Sequence, residues 1–79
     1  MYKISDTDKT TIIELIKVCN KVNLDNLNYS YLENFDNVEI YMDKRHKCIW
    51  DLTIVIKQKR YIYTYEEQNN NFIYSHTEA

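Results

Sequence analysis

The sequence predicts a small α+β domain, with one N-terminal helix packed on a four- to five-stranded antiparallel meander sheet. Three observations predict it. Apolar residues near the N-terminus recur at helical spacing. From about residue 38 onward they alternate with polar residues in consecutive short runs. The chain also has no glycine and no proline in 79 residues, so its turns fall to asparagine and charged residues. At 44% apolar and 28% charged the composition is globular, and the length suits one domain over residues 1–79.

The helix is expected over about Asp6 to Val22. Ile12, Leu15, Ile16, Cys19 and Val22 lie on one helical face, which Ile13 and Val18 widen. Ser5, Thr7 and Asp8 are candidate N-caps. Asp6 and Asp8 suit the positive end of the helix dipole, and Lys17 and Lys21 the negative end. Asn20 and Asn23 can close the helix in the left-handed conformation that glycine would otherwise supply.

Leu24 to Phe35 is ambiguous. Leu24, Leu27, Tyr31 and Phe35 fit a weak helical stripe, while Tyr29, Tyr31, Glu33 and Phe35 alternate. Asn26, Asn28 and Ser30 are poor helix-interior residues, which favours a strand from about Asn28 to Phe35.

The remaining runs read as strands. Val38, Ile40 and Met42 alternate with Glu39, Tyr41 and Asp43. Cys48, Trp50, Leu52, Ile54 and Ile56 make the longest apolar row, followed by Tyr61, Tyr63 and Tyr65, then Phe72 and Tyr74. A turn at Gln58-Lys59 sets Ile56 opposite Tyr61 and Ile54 opposite Tyr63. A turn at Asn69-Asn70 sets Tyr65 opposite Tyr74. A three-residue loop Lys44-Arg45-His46 sets Ile40 opposite Trp50, and leaves Glu39 facing Asp51 as a like-charge pair. A one-residue slip would flip every side chain to the other face. The helix is expected to cover the Trp50, Leu52, Ile54, Ile56, Tyr61 and Tyr63 face.

The second face then carries Tyr41, Ile49, Val55, Ile62 and Ile73, with Thr53 and Thr64. One helix covers one face, so this face is the leading candidate for partner binding or self-association. Tyrosine is favoured at binding surfaces. The chain has eight, of which Tyr2, Tyr29 and Tyr41 are the freest to meet a partner. Two basic clusters supply candidate charged contacts: Lys44, Arg45 and Lys47 with His46, and Lys57, Lys59 and Arg60. Both are expected in loops at opposite ends of one strand, too far apart for a single phosphate track.

Several classes of function are disfavoured. Phosphate-cradling loops and dinucleotide turns need glycine. A formal net charge of −2 is not that of a general nucleic-acid binder. His46, His76, Cys19 and Cys48 show no metal-ligand spacing, so no metal and no cofactor is expected. Cys19 and Cys48 read as reduced thiols, and the N-terminus carries no apolar leader. The expected location is cytoplasmic, with no membrane association. Glu66 and Glu67 are adjacent in a strand and so point to opposite faces.

No motif assigns a family. Size and composition are similar in style to accessory proteins of phages and other mobile elements, some of which inhibit host defence enzymes. The expected function is a non-enzymatic protein-binding module, an inhibitor or adaptor acting on a host complex such as a defence nuclease. The alternative is a small nucleic-acid-binding protein that uses its basic hairpin tips.

Overall fold

A computed structural model describes residues 2–18, 32 and 34–79. Its elements run β1 (Tyr2–Lys3), α1 (Asp6–Val18), a 3-10 turn at Phe35–Asn37, β2 (Val38–His46), β3 (Ile49–Ile56), β4 (Lys59–Glu66), a second 3-10 turn at Glu67–Asn69, and β5 (Asn71–Glu78). The five strands form one antiparallel sheet in the order β1-β2-β3-β4-β5. This is the expected helix-on-meander fold.

The fifth strand is not where the sequence reading put it. It is β1, whose Tyr2 and Lys3 pair with Met42 and Tyr41. Two residues are too few for an alternation to be visible. Of the expected Asn28–Phe35 strand, Leu32 is helical and Phe35 opens a 3-10 turn; residues 28–31 and 33 lie outside the described residues. The expected helix residues 19–22, Cys19 and Val22 among them, also lie outside.

Helix α1 starts where its capping chemistry dictates. The Ser5 hydroxyl accepts the Asp8 amide at 3.2 Å, and the Ser5 carbonyl accepts the Lys9 amide at 2.8 Å. Ser5 is therefore the N-cap, with Asp6 and Asp8 in the first turn. Ile12, Ile13 and Ile16 face inward. They join Leu32, Val38, Ile40, Leu52, Ile54, Ile56, Tyr61, Tyr63, Tyr65 and Phe72 in one buried cluster. Lys9 continues this stripe and is 7% exposed. Its stem packs inward, and its ammonium lies 4.0 Å from the Phe35 ring centroid.

Among the described residues of β2 to β5 the facing read from alternation holds, Cys48 excepted, but each register slides by an even number of residues up to its bulge. Ile54 lies opposite Tyr61 and Leu52 opposite Tyr63. Tyr65 lies opposite Phe72, and Ile40 opposite Ile54. The β3–β4 turn is Lys57-Gln58, one residue before its expected place, with φ of 51° and 68°. Two left-handed residues match the twist of a tight hairpin, and here the chain uses them without glycine. The like-charge pair falls at Asp43 opposite Asp51 rather than at Glu39 opposite Asp51.

Two bulges complete the sheet. Arg45 is an extra residue in β2, between Lys44 opposite Trp50 and His46 opposite Ile49. Ser75 is an extra residue in β5, between Tyr74 opposite Tyr63 and His76 opposite Ile62. Lys44, Arg45 and His46 are thus strand residues rather than a loop, as are Lys59 and Arg60. Cys48 sits half-buried in the turn before β3 instead of opening the strand. Among the described residues, no helix is long and apolar enough to cross a membrane.

Candidate functional site

Antiparallel pairing arranges the sheet face away from α1 as cross-strand rows. The first is Glu39, Val55, Arg60 and Glu78. The second is Lys3, Tyr41, Thr53, Ile62 and His76. The third is Asp43, Asp51, Thr64 and Ile73, and the last is His46, Ile49, Glu66 and Asn71. Among the described residues, neither α1 nor Leu32 contributes a buried side chain here; both bury theirs on the opposite face.

The first two rows build a depression of ≈ 490 Å³, lined by Glu39, Tyr41, Thr53, Val55, Arg60, Ile62 and Glu78. Its floor is Thr53, only 3% exposed. The Thr53 hydroxyl is buried, with no hydrogen-bond partner among the described residues. A buried hydroxyl left unpaired is costly. In natural structures such groups commonly mark a place that a bound molecule or ordered water completes.

The rim is polar and already organised. The Tyr41 hydroxyl donates to Glu39 Oε2 at 2.6 Å, and Lys3 Nζ lies 3.9 Å from the same oxygen. The tyrosine hydrogen bond, reinforced by the Lys3 charge, holds the Glu39 carboxyl below its ordinary value. The same bond raises the Tyr41 phenol, because the carboxylate stabilises its protonated form. The Arg45 bulge brings its guanidinium onto Asp51, which offsets the Asp43–Asp51 repulsion.

Three of the five expected partner-binding residues, Tyr41, Val55 and Ile62, therefore converge on one depression. Ile49 and Ile73 do not line it; the row of Asp43, Asp51 and Thr64 separates Ile49 from it, and Ile73 stands at the sheet edge, 47% exposed. Tyr2 is 79% exposed on the opposite face, at the sheet margin, and Tyr29 lies outside the described residues. Sequence reasoning missed Glu39 and Glu78, and gave Arg60 as a charged contact at a loop rather than as a rim neighbour. Their rows depend on register, which alternation leaves free.

The basic residues do not act together. Lys44 stands on the helix side, with its ammonium 5.5 Å from the Trp50 ring centroid. Arg45 is tied to Asp51 on the second face. Lys59 and Arg60 are consecutive in β4 and point to opposite faces. The two clusters sit at opposite ends of the eight-residue β3, roughly 26 Å apart. On the second face, five carboxylates (Glu39, Asp43, Asp51, Glu66, Glu78) surround three cations (Lys3, Arg45, Arg60).

One hydrogen-bonded chain bears on catalysis. Ser75 Oγ lies 2.9 Å from His76 Nδ1, and His76 Nε2 lies 3.1 Å from Glu78 Oε2. The order is that of a nucleophile, base and orienting carboxylate. However, the histidine and glutamate side chains are 53% and 52% exposed, and neither Ser75 nor His76 lines the depression. The chain of bonds lies along β5, and of its three members Glu78 alone lines the depression. Among the described residues, no group of three or more histidine, cysteine or acidic side chains is placed to hold a metal.

No family model, curated protein or solved structure matches this chain.

Proposed function

We propose that this chain is a non-enzymatic protein-binding module that docks a protein partner on the sheet face opposite α1. The observation that carries the reading is the depression over Thr53. It combines an unpartnered buried hydroxyl with the half-buried apolar side chains of Tyr41, Val55 and Ile62. A solvated sheet face would carry polar residues at these positions. A patch with an apolar centre and a charged rim has the anatomy of an interface.

The charge of the rim indicates the partner's chemistry. Carboxylates outnumber cations on this face, so it suits a protein surface that presents an apolar side chain flanked by lysine or arginine. The same balance repels a phosphate backbone, and the basic residues are split between faces and ends. A small binding domain of this kind acts by occupying a partner's surface, as an inhibitor or adaptor does. The size and style of the chain suit a phage or mobile-element protein directed at a host complex such as a defence nuclease.

The test is affinity capture from an extract of the native host, using the wild-type chain and two variants. Val55→Glu places a carboxylate at the centre of the depression and should abolish capture of the wild-type partner while leaving the fold intact by circular dichroism. The fourfold variant Lys44→Ala, Lys47→Ala, Lys57→Ala and Lys59→Ala, none of which lines the depression, should retain it. If the fourfold variant loses the partner and Val55→Glu keeps it, the docking face is wrong. Capture of nucleic acid that weakens steeply with salt would establish the alternative instead.

A further inference from the structure

We infer that the outer edge of β5 is a self-pairing edge, through which two copies of this chain join antiparallel to make one continuous ten-stranded sheet. The sheet has two edges, and they differ. On one side β2 is capped by β1 at Tyr41 and Met42, with the Ile4 amide donating to the Ile40 carbonyl; beyond that cap lie Val38 and Glu39 at one end and Asp43, Lys44, Arg45 and His46, charged and bulged at Arg45, at the other. Charge and bulging are the devices that blunt an edge. On the other side lies β5, eight residues long, with no lysine, arginine or proline. Among the described residues, no strand pairs with its outer edge. Phe72 is buried on one face of it and Ile73 is 47% exposed on the other.

The bulge at Ser75 selects the occupant. A regular strand added to this edge must meet two residues with one at the bulge, as β4 does on the inner side. A second copy of β5 meets bulge with bulge and keeps one register throughout. With the two-fold axis between Tyr74 and Ser75, Asn71 lies opposite the second copy's Glu78, Phe72 opposite its Thr77, and Ile73 opposite its His76. Each pair shares a face. Phe72 and Thr77 stand on the helix side, since their β4 partners are Tyr65 and Tyr61. Ile73, His76, Asn71 and Glu78 stand on the other, since theirs are Thr64, Ile62, Glu66 and Arg60. The only full charge on β5 is Glu78, which meets an amide and not another carboxylate. The interface is isologous, and it closes at two copies.

The proposed seam shares only Glu78 with the depression over Thr53; Tyr41, Val55 and Ile62 lie on other strands. The test is analytical ultracentrifugation of the full chain across a concentration series. A monomer–dimer equilibrium is expected for the wild type. The double variant Ile73→Lys with His76→Lys puts like charges opposite each other at two symmetric places, and should weaken the dimer roughly tenfold. The double variant Ile73→Glu with His76→Lys puts opposite charges there and should dimerise at least as well as the wild type. Val55→Glu should leave the dimer unchanged. A wild-type chain that is monomeric at every concentration overturns the inference. So does a dimer that Val55→Glu dissolves and the two lysine substitutions do not, since the chains would then pair through the face.

Discussion

Replacing Ile54 with alanine tests the packing that holds the sheet and α1 together. Ile54 is 0% exposed at the middle of β3, between Ile40 on β2 and Tyr61 on β4. The substitution deletes three side-chain carbons, worth about 2.4 kcal/mol at ~0.8 kcal/mol each. It also leaves a cavity beneath the helix, which brings the expected loss to about 3–4 kcal/mol. A core of this size rarely supplies more than ~3–5 kcal/mol, so the variant should be largely unfolded at room temperature. Urea denaturation followed by circular dichroism reads the loss directly. Ile73→Ala, on an exposed position of the neighbouring hairpin, is the matched control. Measured at concentrations where the chain is monomeric, it should shift stability by no more than ~0.5 kcal/mol. An Ile54→Ala chain with a near wild-type midpoint would refute the core assignment, and with it the claim that the opposite face is the free one.

Two further outcomes follow from local geometry. Gln58 holds φ at 68° in the β3–β4 turn, so Gln58→Gly should raise stability by ~0.5–1 kcal/mol, since relief of the left-handed backbone exceeds glycine's entropy cost; a lower thermal midpoint would mean the turn is not left-handed there. The Glu39 carboxyl is held below its ordinary value by the Tyr41 hydroxyl and then by Lys3, so its contribution to stability is present above the ordinary carboxylate value and lost as pH falls through its lowered one. The raised Tyr41 phenol contributes below its ordinary value and loses that contribution as pH rises through its folded one. Tyr41→Phe should therefore flatten both the acid and the alkaline limb of the stability profile, whereas identical limbs in variant and wild type would show that the hydrogen bond does not form in solution.

The facing of the strands was legible in the sequence, and their register was not. Alternation fixes which side chains share a face, and so it placed Tyr41, Val55 and Ile62 together and the tyrosines Tyr61, Tyr63 and Tyr65 with the longest apolar row. A slide of two residues leaves that pattern unchanged. What selects among such slides is turn geometry. The Lys57-Gln58 hairpin carries no glycine or asparagine to announce itself, so the sequence points to a turn one residue later than the left-handed pair. Asn70, by contrast, takes the left-handed position at φ 46° with the residue type that suits it. The bulges at Arg45 and Ser75 carry no sequence mark either. The first carries Arg45 to Asp51; the second turns His76 and Glu78 to the face of the depression, where Glu78 becomes part of the rim. The asparagine-rich middle offers two weak periodicities; of its described residues Leu32 is helical and Phe35 opens a 3-10 turn, and neither periodicity can be read from those two.

Methyl resonances of the isoleucine, valine and threonine side chains, followed while the captured partner is titrated in, locate the docking face most directly. Thr53, Val55 and Ile62 should shift or broaden together, while Ile12 and Ile16 beneath the helix stay in place. Perturbation confined to Ile12, Ile16 and the other helix-side methyls, with Thr53, Val55 and Ile62 unmoved, would contradict the assignment of the open sheet face as the binding surface.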